Sequence, residues 1–170
     1  MSVSSGTPDW QAEVHEAKLP VEEEFLVKVI NNKCYPSHGY LRDYKCSIIG
    51  KNKGFLSVVT RVILYWDAEK SKGLENLPEG VVIKSPTLAP IAELDEAAGE
   101  NFTSEMLITF HGQECKTYQY LEAHPPVPIP IAKRYYSANI TEESGTGMLI
   151  LNDLTDAAVS LQFKLVEVIL

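Results

Sequence analysis

The chain has 170 residues, 45% hydrophobic and 22% charged, a balance that suits one globular domain with a core of its own. Its formal charge of −8 argues against adhesion to nucleic acid or to an anionic membrane surface, since both need a basic face. No apolar run reaches the length that crosses a bilayer, and Met1 to Trp10 has no basic segment followed by an apolar one, so neither a membrane span nor a secretory leader is expected.

Cys34, Cys46 and Cys115 are widely spaced and odd in number, which reads as reduced thiols in a cytoplasmic protein. Asn101-Phe102-Thr103 and Asn139-Ile140-Thr141 match the glycosylation acceptor pattern, and in that compartment they are chance matches.

In chain order, a polar tail leads into helical spacing from about Glu13 through Ile30. Val21, Phe25, Val27 and Ile30 form one face there, and Pro20 suits the first turn. Tyr35 to Tyr40 reads as a loop. Tyr44 to Ile49 is a short β-prone run, broken by Gly50-Lys51-Asn52-Lys53-Gly54. Phe55 to Trp66, dense in β-branched and aromatic residues, is a second strand. After a charged loop comes Gly80-Val81-Val82-Ile83-Lys84-Ser85, stopped by Pro86 and Pro90. Ile91 to Glu100 is acidic and rich in small residues.

Thr103 to Ala123 returns to helical spacing, with Thr103 or Ser104 as cap and Met106, Phe110, Glu114, Tyr118 and Leu121 on one stripe. Pro125 to Pro130 is a stiff extended connection. Ala132 to Asn139 reads as a strand, Glu142 to Gly147 as a hairpin turn, and Met148 to Leu151 as a buried strand. The tail from Thr155 to Leu170 is apolar enough to want a partner surface. The expected fold is α+β: an antiparallel sheet of about five strands with one main helix packed on it, plus an N-terminal helix. Residues 1–40 form the tail and first helix, 41–154 the sheet domain and 155–170 the apolar tail.

Lys84 is the residue that asks for an explanation. A cation in a Val/Ile strand is costly when buried without a partner. It is either an edge lysine that discourages aggregation or a functional group with a carboxylate across from it. Glu114, in the middle of the long helix, is the candidate partner. His111 lies one turn before it on the same face and reads as a buried, hydrogen-bonded helix residue. The two lack the further ligands of a metal site.

The ordered series Gly50 to Ser57, Val82-Ile83-Lys84-Ser85-Pro86, His111-x-x-Glu114-x-x-x-Tyr118, Pro128-Ile129-Pro130 with Lys133 to Tyr136, and Leu149 to Leu154 resembles the CHK kinase-like (ecdysteroid-kinase-like) group. That group belongs to the choline kinase and aminoglycoside phosphotransferase superfamily. The resemblance implies a protein-kinase-like N-terminal lobe. Gly50, Gly54, Phe55 and Ser57 would belong to a loop over the nucleotide's phosphates, and Lys84 would hold those of ATP. Glu114 would orient Lys84, and the backbone from Leu151 to Asp153 would hold the base.

The resemblance implies ATP as cofactor and, for the family, ATP-dependent phosphorylation of a hydroxyl on a small molecule. The catalytic His-x-Asp loop and the metal-binding Asp of that superfamily have no counterpart here, so Mg²⁺ is expected only with a second lobe. The expected chain is a nucleotide-binding lobe inactive alone. The alternative is a non-catalytic interaction or regulatory domain, pairing with another protein or with itself through the apolar tail. A third reading is an unrelated α+β domain in which Lys84 and Glu114 never meet.

Overall fold

The computed structural model describes residues 15–31, 40–49, 56–74, 76–89, 103–124 and 131–155. Expectations for the loop with Gly50, Gly54 and Phe55, for Cys34, for Ile91 to Glu100, for Pro125 to Pro130 and for the tail beyond Thr155 lie outside the described residues.

The described elements are β1 (His15–Glu16), α1 (Glu23–Asn31), β2 (Leu41–Ile49), β3 (Ser57–Trp66), β4 (Gly80–Pro86), α2 (Ser104–Ala123), β5 (Arg134–Ala138) and β6 (Met148–Asn152). The strands form one sheet in the order β1-β2-β3-β4-β6-β5, antiparallel at every pairing. The fold is α+β, as the sequence predicts, with five substantial strands and a two-residue edge strand.

Strand β4 is the centre of the sheet, and its alternation explains the rest. Val81 and Ile83 are fully buried and enter the core. Directly opposed residues share a face, so the pairings Val59–Lys84, Lys84–Leu149 and Leu149–Ser137 put one row on the opposite face. Arg61, Val82, Leu151 and Arg134 form the next row of that face.

Helix α1 covers the core face, burying Leu26, Val27 and Ile30 in one cluster with Val62, Leu64, Val81, Ile83 and Ile150. Each such aliphatic side chain contributes about 1.5–3 kcal/mol on burial. Phe25 meets Tyr136 edge to face at 4.9 Å between centroids, tying α1 to β5.

Two expectations need correction. The N-terminal helix does not run from Glu13: it begins at Glu23, and His15–Glu16 pair with Ile48 and Ser47 of β2 instead. Pro20 disfavours helical backbone at Leu19 and ends the extended segment rather than opening the helix. Glu23 and Glu24 then suit the positive end of the helix, with Lys28 in its last turn.

The stripe predicted on α2 holds at Glu114, Tyr118 and Leu121 and fails at its N-terminal end. Met106 and Phe110 are exposed, whereas His111 and Cys115 are buried and Leu107, Glu114, Tyr118 and Leu121 are half-buried. The sheet-facing side of α2 is chosen by polar contacts rather than by its bulkiest apolar residues. The cap is as predicted: the Thr103 hydroxyl accepts from the Met106 amide at 3.2 Å. Among the described residues no helix is long and apolar enough to cross a membrane.

Candidate functional site

Lys84 leaves the middle of β4 on the face away from α1, and its ammonium group donates to Oε1 of Glu114 on α2. The two side chains are 26% and 33% exposed, so the pair is sheltered yet still reaches solvent. A second clamp lies further along the same helix, where Arg134 of β5 binds Glu122 through both carboxylate oxygens, Nε at 3.1 Å and Nη2 at 2.5 Å. Both cations stand on one face of the sheet, so α2 is tied to that face at two places eight residues apart on the helix. Leu149, next to Lys84 in the register, is fully buried there.

Of the other expected site residues, Ser57 opens β3 opposite Pro86, on the face of Lys84 and one step along it. Leu151 is buried opposite Val82 on that face. Asp153 follows β6, and its side chain accepts from Arg61 Nε at 2.5 Å and from Thr155 at its other oxygen. The amides of Asn152 and Asp153 already donate to the carbonyls of Lys133 and Gly80, at 2.9 and 3.2 Å.

Arg61 and Asp153 line a cleft of about 450 Å³, together with Ile63, Pro78, Glu79, Gly80, Tyr135 and Asn152. Ile63 and Gly80 oppose each other at one end of the Lys84 face, so the cleft and the Lys84–Glu114 pair are neighbours along that face rather than one cavity. Gly80 sits in a tight place: a Cβ there would lie 3.0 Å from Asp153 Oδ2 and 3.2 Å from the Val62 carbonyl, so both would have to give by a few tenths of an ångström. Burial holds the Tyr135 phenol above its usual range, so it stays a neutral donor.

Arg61 is the residue that sequence reasoning missed. The signal was present, because Arg61 is a lone cation in an apolar β-branched strand, as Lys84 is. The sequence offers Asp153 only as a backbone contributor, and nothing local links its side chain to Arg61.

Burial is the largest influence on Asp153 and opposes its ionisation, but the Thr155 and Arg61 hydrogen bonds together outweigh it and hold the carboxyl below its usual value. With the folded value below the unfolded one of about 3.9, the contribution is complete above that pH and is lost as pH falls through the folded value. Asp153→Asn is therefore less stable than wild type at pH 7, and the gap in urea midpoint narrows at pH 3. A gap independent of pH would contradict the ion pair.

Cys115 is raised chiefly by burial and further by the charge of Glu114, partly offset by Arg134 and Lys84, which keeps the thiol protonated. It packs as a small apolar residue. Among the described residues no three His, Cys, Asp or Glu side chains gather as metal ligands.

A family model, DUF1679, with the description "Uncharacterized oxidoreductase dhs-27", matches residues 40–167. No curated protein and no solved structure gives a match. The family match spans most of the chain and contains Lys84, Glu114, Arg61 and Asp153, so the residues that build the two neighbouring sites all fall inside it. The chain belongs to the DUF1679 family, which is related to the CHK kinase-like group.

Proposed function

We propose that this chain is the nucleotide-binding lobe of a kinase-like protein and that Lys84, oriented by Glu114, holds the phosphates of ATP. The observation that carries this reading is the Lys84–Glu114 pair itself. A lysine from the middle of a strand meets a glutamate from the helix that packs on the same face, which is the arrangement that grips nucleotide phosphates in kinase-type folds. The pair is part-exposed, so its ammonium protons can turn to an anion arriving from solvent. The cleft beside Arg61 and Asp153 is the neighbouring space for the base and sugar. The amides of Asn152 and Asp153 are engaged within the protein, so they are not the donors that would meet the base.

The word oxidoreductase in the family description belongs to the protein after which the family is described. Dinucleotide sites of the doubly wound type are built on parallel β-α-β units, whereas every strand pairing described here is antiparallel. That favours a phosphate-gripping lobe over a hydride-transfer domain. Phosphoryl transfer also needs a base and metal-binding acids facing the phosphates. The described residues assemble no such set, so the proposal is nucleotide binding, with transfer to a small-molecule hydroxyl reserved for an assembly that supplies those groups.

Calorimetric titration with ATP and with adenosine, each with and without Mg²⁺, tests the reading. ATP should bind more tightly than adenosine by about 10-fold or more, as expected for one charge-assisted contact of about 1.5–3 kcal/mol. Equal affinity for the two would remove the phosphate contact and with it the proposal.

A further inference from the structure

Helix α2 buries only two of its residues, His111 and Cys115. Its placement therefore rests heavily on polar contacts, and His111 makes the most enclosed of them. The ring is 5% exposed, and its Nε2 lies 2.8 Å from the Ala138 carbonyl. A carbonyl can only accept, so Nε2 carries the proton and donates. Cys115 Sγ lies 3.5 Å from the same nitrogen, one turn further along the helix.

The ring occupies a gap that exists because residue 147 has no side chain. A Cβ on Gly147 would stand 2.5 Å from His111 Nε2, 2.6 Å from its Cδ2 and 2.8 Å from Ile140 Cγ1, closer than real Cβ atoms come. Gly147 does not have the positive φ found at Gly73 and Gly145. This glycine is needed for room, not for an unusual backbone.

The acceptor is fixed relative to Lys84 by the sheet ladder. Ala138 pairs with Met148, and the next residue, Leu149, pairs with Lys84. Glu114 follows His111 by three positions, so their side chains leave the same side of α2 one turn apart. Anchoring the first on β5 sets the rotation and height at which the second meets β4. A slip of one residue along the helix turns the side chains by about 100°, which would carry Glu114 off Lys84.

We infer that His111, seated against Gly147 and donating to Ala138, is the positioning residue that brings Glu114 to Lys84. The role is independent of any nucleotide, because the pair it sets is formed by the protein alone.

The test is the side-chain ammonium resonance of Lys84 in ¹⁵N-lysine-labelled protein, with Glu114→Gln as the reference for an unpaired Lys84. In Gly147→Ala the resonance should move toward the Glu114→Gln position while the circular dichroism stays native. His111→Ala should move it in the same direction, and His111→Gln, which keeps an N–H donor at similar reach, should bring it back toward wild type. If Gly147→Ala does not fold, the two His111 variants decide alone. A wild-type Lys84 resonance in folded Gly147→Ala or in His111→Ala would overturn the inference, even if thermal stability fell. An equal displacement in His111→Gln and His111→Ala would overturn the donor role.

Discussion

Replacing Ile83 by alanine lowers the unfolding free energy by about 2–5 kcal/mol, read as a fall in urea midpoint at unchanged slope. Ile83 is fully buried on a strand flanked by β3 and β6, and it shares a core cluster with Leu26, Val62, Val81 and Ile150. Removing its outer carbons opens a cavity where α1 meets the centre of the sheet. The sheet around it is hydrogen-bonded on both sides of β4 and cannot collapse freely into that space. The same variant, under conditions where it remains folded, should keep any binding that uses Lys84, because the two adjacent side chains point to opposite faces. A loss below about 1 kcal/mol would mean that β4 is not the strand around which the core closes.

Lys84→Ala should do the reverse. Its ion pair with Glu114 is about a quarter to a third exposed, and pairs of that kind contribute about 0–1 kcal/mol to stability. Glu114, left without its cation, can turn toward water rather than remain a buried charge. The urea midpoint should therefore move little, while affinity for ATP falls by about 10- to 100-fold. Ile83 and Lys84 thus form a neighbouring pair of probes with opposite signatures, one for the core and one for the site. If Lys84→Ala destabilised the protein as much as Ile83→Ala, the pair would be a structural strut and the site reading would lose its support.

Much of this was legible in the sequence because the strands carry strong local signals. The run from Ser57 to Trp66 is dense in β-branched residues, and Gly80 to Pro86 is bounded by a glycine and a proline, so both strands appear close to where their composition puts them. Lys84 stood out as a single cation in an apolar run. Its partner followed because Glu114 is near the middle of a long, well-capped helix, and the two side chains do meet.

The remainder depended on tertiary choices that no local pattern encodes. β1 is two residues long, too short to show any period of its own beside the helical spacing that follows it. Helix α2 buries His111 as expected, but it exposes Met106 and Phe110 and turns Cys115 inward, because hydrogen bonds and ion pairs to β4 and β5 outweigh its weak apolar bias. Arg61 carried the same sequence signature as Lys84 and went unpaired there, since its partner lies 92 residues away in a segment read for its backbone. Gly147 looks like one more turn residue beside Gly145, and only the His111 ring against it shows what the glycine is for.

The central claim is that the Lys84 ammonium group, held by Glu114, is the protein's contact with nucleotide phosphates. The most direct measurement follows the ¹⁵N-labelled Lys84 side-chain resonance during separate additions of ATP and adenosine to the wild-type protein. The account predicts a saturable displacement with ATP and none with adenosine. A Lys84 resonance that stays in place at saturating ATP would contradict it.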